Sequence, residues 1–258
     1  MIGVRLNVPG LEQVDVIESP PRDLSAIPLR SISSLLRFNP QGTSGHRVRV
    51  QGAVILQRRD RTLFVADESE SVSVKTVEAL PLRPGDRVEI LGFPALGGLS
   101  AQLEDAVFRK IGEGLVPPPA RITAAEALMG NHDTHLVSVE ARLVNTTAAG
   151  NDLTLTLKSQ DSIFEAQVEE ATAARKLASL PLGSRLLVTG VCLVQADENR
   201  QPQTFQLLLR SPADVVILQK PPRWTLRHAI FGLGIMAALI LAALGWVVLL
   251  RRQVQDKT

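Results

Sequence analysis

"HRVRVQGAVILQR", residues 46–58, alternates apolar and polar side chains on both sides of Gly52. Period two over that length is the pattern of a half-buried β-strand, and a glycine inside it marks a kink. After it, "RTLFVADES" and "SVSVKTV" read as a hairpin, "RPGDRVEILGF" as a turn and a strand, and "SAQLEDAVFRKI" as a closing strand. Ahead of it, "SISSLLRF" reads as a short amphipathic helix with Ile32, Leu35 and Leu36 on one side.

The order then recurs. Past the Pro- and Gly-rich linker "GEGLVPPPA", "ITAAEALMG" reads as a helix with Thr123 as N-cap three residues before Glu126. "HLVSVEARLVNTT", "NDLTLTLKS" and "SIFEAQVEE" are three strands, and "ATAARKLASL" is a helix between strands three and four. "LPLGSRLLVTGVCL" answers "LPLRPGDRVEILGF" of the first copy, and "TFQLLLRSPADVVIL" closes the unit. Five short strands, a first strand bent at glycine and a helix between the third and fourth describe an OB-like Greek-key barrel. The expected fold class is mainly β, with tandem OB-like five-stranded β-barrels at residues 31–115 and 120–219. The opening residues echo the end of the second unit. Shifted by 201 positions, Val14, Val16 and Ile17 fall on Val215, Ile217 and Leu218, and Pro20, Pro21 and Arg22 on Pro221, Pro222 and Arg223. Residues 1–22 therefore read as the last strand and exit of a truncated upstream barrel, and the chain as a fragment.

Residues 229–250 form an uncharged apolar run of 22 residues, the length of a helix that crosses a bilayer. One transmembrane α-helix is expected there, followed by a cytoplasmic tail at 251–258. Gly234, Ala238 and Ala242 fall four apart, a small-xxx-small pattern that lets two helices approach, so a homodimer through this helix is expected. Of the 28 basic and 26 acidic residues, three basic and one acidic lie in the tail, which leaves 25 of each before it. The part before the helix is electroneutral. Basic residues flank the run equally, so charge does not set its orientation. Cys192 is alone, which excludes a disulfide framework within the chain.

"GHRVRVQGAVILQRRDRTLFVADES", "PLRPGDRVEILGFPALG", "LEDAVFRKIG" and "LRSPADVVILQKPPRWTLRHA", with the apolar run behind them, resemble the extracytoplasmic sensor region of bacterial membrane-bound signalling proteins. The resemblance implies OB-like repeats on the periplasmic side of the inner membrane. It also implies a single-pass helix in that bilayer, an unknown extracytoplasmic ligand or protein as partner, and a histidine kinase or diguanylate cyclase as output. The chain carries no phosphoacceptor histidine, nucleotide-binding glycine boxes or GGDEF-type motif, so the implied role is that of a two-component sensor module. A single-helix-anchored envelope scaffold or adaptor is the alternative.

Catalytic signatures are missing: there is no G-x-S-x-G, H-E-x-x-H, C-x-x-C or G-x-x-x-x-G-K-[ST]. No enzyme activity and no cofactor are expected of this chain. "NHDTH" offers His132, Asp133 and His135 as three metal ligands in one turn, but a structural site needs a fourth, and a solvated turn is preferred. Asp197, Glu198, Asn199 and Arg200 lie where the loop between barrel strands four and five would be, a position that binds ligands in OB barrels, although a charged tip loop is more often a solvated turn. Nucleic acid is expected to be excluded as a partner. There is no Tyr, the charge is balanced, and Phe64, Phe93, Phe108, Phe164 and Phe205 sit in strand patterns that core packing explains.

Overall fold

The computed structural model describes residues 10, 27–35, 47–78, 80–169, 171–221 and 234–240. The first barrel consists of β1 (Val48–Gln57), β2 (Thr62–Ala66), β3 (Ser71–Thr76), β4 (Asp86–Gly97) and β5 (Ser100–Glu113). They close in the order β1-β2-β3-β5-β4, with β4 returning antiparallel to β1 and β3 parallel to β5. This is the connectivity of an OB barrel. Alternation along each strand sends Val48, Val50, Val54, Leu63, Val65, Val72, Val74, Val88 and Ile90 into one core.

The second unit opens with β6 (Ala120–Ile122) and α1 (Ala124–Leu128), whose N-terminus is closed by a reciprocal Thr123–Glu126 capping box. Its barrel is β7 (Leu136–Ala149), β8 (Asp152–Ser159), β9 (Ser162–Val168), β10 (Arg185–Ala196) and β11 (Pro202–Leu208), with α2 (Ala171–Ala178) between β9 and β10. β10 pairs with β7 to close it, β9 runs parallel to β11, and β12 (Val215–Gln219) extends the pairing of β10. Phe164 and Phe205 stack in its core with ring centroids 4.5 Å apart.

The repeat legible in the sequence is a repeat in three dimensions. Leu29 bridges Arg49 in parallel, as Arg121 pairs with Ser138. Both first strands carry a register shift at the same place, between Val54 and Leu56 and between Leu143 and Asn145. The kink expected at Gly52 is therefore this bulge, two to four residues further on. Gly52 serves a close approach instead, because a Cβ there would lie 2.6 Å from the Ala66 carbonyl oxygen. Gly92 and Gly190 share one position in the fourth strands. A Cβ would meet the Ala106 Cβ at 3.0 Å in one barrel and the Leu208 carbonyl oxygen at 2.9 Å in the other.

One expected helix differs: ahead of β1 the described residues form a 3-10 turn, Ile32–Ser34, while the helix expected between strands three and four of the second unit is α2. Among the described residues no helix is long and apolar enough to cross a membrane. Residues 234–240 are helical and exposed, while the rest of 229–250, including Ala242, lies outside the described residues, as do residues 1–9, 11–22 and 251–258. The transmembrane helix and the Gly234, Ala238 and Ala242 contact expected from the sequence thus have no support in the structure.

Candidate functional site

Outside both barrel cores lies a third apolar cluster that joins them. Ile55, Leu56, Phe64 and Ala66 from the outer face of β1 and β2 pack with Leu136, Val191 and Leu208 of the second barrel, with Val116 and Leu193 at the margin. Phe64 is therefore a joint residue and not part of the core of its own barrel, where the strand pattern placed it. The loops of the first barrel reach across as well. In the β1–β2 turn, the Arg58 Nε donates to Glu169 at 2.6 Å, the Arg59 amide to the same carboxylate at 3.1 Å, and the Arg59 guanidinium to Asp152 at 3.0 Å. At the β4–β5 turn, Leu99 packs against the second core and the Ser100 hydroxyl donates to the Asp133 carbonyl oxygen at 3.4 Å.

The "NHDTH" turn belongs to this joint. Asp133 Oδ1 accepts from the Val194 amide at 2.9 Å inside the second barrel, and burial raises its carboxyl above the ordinary carboxylate value. Thr134 is 2% exposed, and its hydroxyl lies 2.9 Å from the Ser71 hydroxyl and 3.2 Å from the Ser71 carbonyl oxygen. It holds φ at +68°, a left-handed conformation rare for a β-branched residue, which its surroundings enforce. His135 Nε2 meets Glu70 of the first barrel at 2.7 Å. The carboxylate of Asp133 and the Nε2 of His135 are thus turned to separate partners, while the rings of His132 and His135 meet edge to face with centroids 6.2 Å apart. Among the described residues no group of three or more His, Cys, Asp or Glu could hold a metal ion.

In an OB barrel, ligands are taken by the face of strands two and three between the 1–2 and 4–5 loops. In the first barrel that region faces its neighbour. In the second it stands open. Matched by register, Ile55, Leu56, Phe64 and Ala66 correspond to Val144, Asn145, Thr156 and Lys158. Four apolar positions of the joint thus become one exposed valine and three polar residues on a free surface. The β10–β11 loop, with Asp197, Glu198, Asn199 and Arg200, borders it. Asp197 ties that loop into a fixed turn by accepting from the Asn199 amide at 2.9 Å, the Gln201 amide at 2.8 Å and Gln203 Nε2 at 3.2 Å. Glu198, Asn199 and Arg200 are left exposed at its tip.

The far end of this face turns basic. Lys158 on β8, Arg142 on β7 and Arg185 on β10 stand opposite one another in one cross-strand row, and Arg121 on β6 lies beside it. The row was not legible in the sequence, because its members are far apart along the chain and only strand register unites them. Phe64, Phe108, Phe164 and Phe205 are buried, and Phe93 lies 5.2 Å beneath the Arg47 guanidinium, so among the described residues the open face carries no aromatic platform.

No family model matches the chain, and no curated protein does. Solved structures do. Aspartyl-tRNA synthetase from Entamoeba histolytica matches at 13% identity and TM-score 0.34 over 42% of this chain and 23% of its own. Asparaginyl-tRNA synthetase from Pyrococcus horikoshii with bound asparaginyl-adenylate matches at 15% and 0.32 over 41% and 24%. The chain thus spans about a quarter of the length of these synthetases. A murine DNA-binding protein bound to double-stranded DNA matches at 14% and 0.35 over 68% of this chain and 99% of its own. The resemblance to membrane-bound sensor kinases is corrected: no family model and no curated protein matches the chain, and no helix among the described residues is long and apolar enough to cross a membrane. With it go the two-component role, the scaffold alternative and the partners it implied, a bilayer and a membrane-helix dimer. The exclusion of nucleic acid is withdrawn as well.

Proposed function

We propose that the chain is a non-catalytic tandem OB module that binds nucleic acid on the open face of its second barrel. The observation that carries this reading is the contrast between equivalent faces. The first barrel covers Phe64 and its neighbours in the joint, whereas the second leaves Asn145 and Lys158 exposed and Thr156 half-buried between them. From Thr154 to Lys158 the face runs four residues along β8, about 13 Å at about 3.3 Å per residue, enough for a short extended segment of a strand. It leads from the loop end of the barrel to the basic row.

The chemistry of the face sets the mode of binding. Hydroxyl, amide and cationic groups suit a sugar-phosphate backbone, and with no aromatic platform on this face among the described residues, base stacking is not the main source of affinity. Binding is therefore backbone-led, tolerant of sequence and sensitive to salt.

Fluorescence anisotropy of labelled single strands and duplexes against the full chain, at low and at near-physiological salt, tests the reading. Affinity should fall linearly with salt on a log–log plot, and Thr156→Glu, which sets a negative charge in mid-face, should weaken it. Failure to bind any oligonucleotide at low salt, or equal binding by Thr156→Glu, would overturn it.

A further inference from the structure

Each barrel has a concavity at the end away from its 1–2 loop, between the segment that leads in, the turn of strands two and three, and the start of strand four. In the second barrel it measures about 490 Å³ and holds Arg121, Arg142, Lys158 and Arg185 against two carboxylates, Glu126 and Glu140. Glu126 is engaged in the capping box with Thr123. Glu140 pairs with Arg185 and, at 3.5 Å, with Arg121, which fixes those two cations at the rim. Arg142 and Lys158 have no carboxylate partner among the described residues.

The first barrel serves as an internal reference. By register, Leu29 corresponds to Arg121, Ala53 to Arg142, Ala66 to Lys158 and Arg87 to Arg185. Burial in the joint accounts for Ala66, but Leu29 and Ala53 lie outside the joint cluster and are still uncharged. The same architecture thus folds with one of these four cations. In the second barrel, Arg142 sits directly opposite a like charge on both neighbouring strands, at about 5 Å between strands. Like charges directly opposite destabilise a sheet, and an anion between them would reverse that effect.

From this geometry we infer that the concavity is a phosphate-binding site, with Arg142 and Lys158 as its contacts and Arg121 and Arg185 as its rim. The phosphate is a phosphodiester of the nucleic-acid strand that the open face leads toward, and in that respect the inference rests on the proposed function. The chemistry of the site would also accept free phosphate or pyrophosphate, and the experiment separates these sources.

The full chain, kept in non-ionic detergent because of the apolar run 229–250, is compared with three variants. One is Arg142→Ala with Lys158→Ala, one is Arg142→Lys with Lys158→Arg, and one is Arg87→Ala in the first barrel. Thermal unfolding is followed with pyrophosphate against chloride at equal ionic strength, and anisotropy is read with a labelled single strand. Pyrophosphate should raise the Tm of the wild type, the charge-preserving variant and Arg87→Ala, but not that of the alanine pair. The oligonucleotide should bind the alanine pair about tenfold or more weakly, with a salt slope smaller by about 1 to 2 because two cations are removed. Without anion, the alanine pair should melt no lower than the wild type, because repulsion within the row is relieved. Loss of binding with a lower Tm in the alanine pair, and equal loss in the charge-preserving pair, would mark a folding defect and overturn the site. Oligonucleotide binding unchanged in the alanine pair, with no pyrophosphate effect, would overturn the site and leave the proposed function standing. A pyrophosphate effect confined to proteins that keep both charges, without oligonucleotide binding, would support the site and overturn the nucleic-acid reading.

Discussion

The joint between the barrels rests on a buried pair of hydroxyls that can be tested by a double-mutant cycle. Ser71 and Thr134 are 5% and 2% exposed, and Thr134 donates to the Ser71 carbonyl oxygen, which leaves its own oxygen as acceptor for the Ser71 hydroxyl at 2.9 Å. Thr134→Val keeps the shape but removes both bonds and strands the Ser71 hydroxyl without an acceptor. An unsatisfied buried hydroxyl costs about 1–3 kcal/mol. If the barrels melt together, about 2–4 °C of Tm per kcal/mol puts the loss at about 2–12 °C. Ser71→Ala removes one bond and leaves Thr134 its carbonyl acceptor, so it should cost about 1 kcal/mol. The double variant strands no hydroxyl. Its loss should fall short of the sum of the single losses by about 1 kcal/mol or more. Thermal and urea unfolding of the four proteins by far-ultraviolet circular dichroism would measure the cycle. Losses that add within about 0.5 kcal/mol would refute the claim that these hydroxyls couple the barrels.

Two carboxylates should bend the pH–stability curve in opposite directions. Glu89 accepts from Gln51 at 2.9 Å, Arg49 at 2.7 Å and Arg109 at 3.0 Å, which holds its carboxyl below the ordinary 4.5. Its contribution is therefore complete above about pH 4.5 and lost as pH falls through its folded value, so Glu89→Gln should flatten the acid limb of urea midpoints. Burial raises Asp133 above 3.8, so its contribution falls as pH rises from there through the folded value. Asp133→Asn should remove that fall while leaving an acceptor for the Val194 amide, and an unchanged neutral-pH midpoint would count against it. Burial, and then the charge of Asp133, pushes the Cys192 thiol up to about 12. Native protein should resist alkylation at pH 8 until denaturant is added, and fast labelling of the folded chain would refute this placement.

The period-two alternation of "HRVRVQGAVILQR", the repeat of the unit and the Thr123–Glu126 cap were legible along the chain, because each depends on neighbours within a few residues. Alternation separates the two faces of a strand, and in a small closed barrel one face must fill the interior, so Val50, Val54, Val139 and Leu143 were bound to be core. What lies against the other face is not encoded at that range. Phe64 in a strand reads as core wherever it falls, yet here it points outward into a neighbour. Its counterpart Thr156 occupies the same place on a free surface. The basic row follows the same rule. Arg121, Arg142, Lys158 and Arg185 are far apart in sequence, and only barrel closure, which pairs β10 with β7, places them in one concavity. Local sequence determined which residues turn inward. Tertiary structure decided which outer face is covered and which is left open, because that choice depends on contacts between barrels and not within a strand.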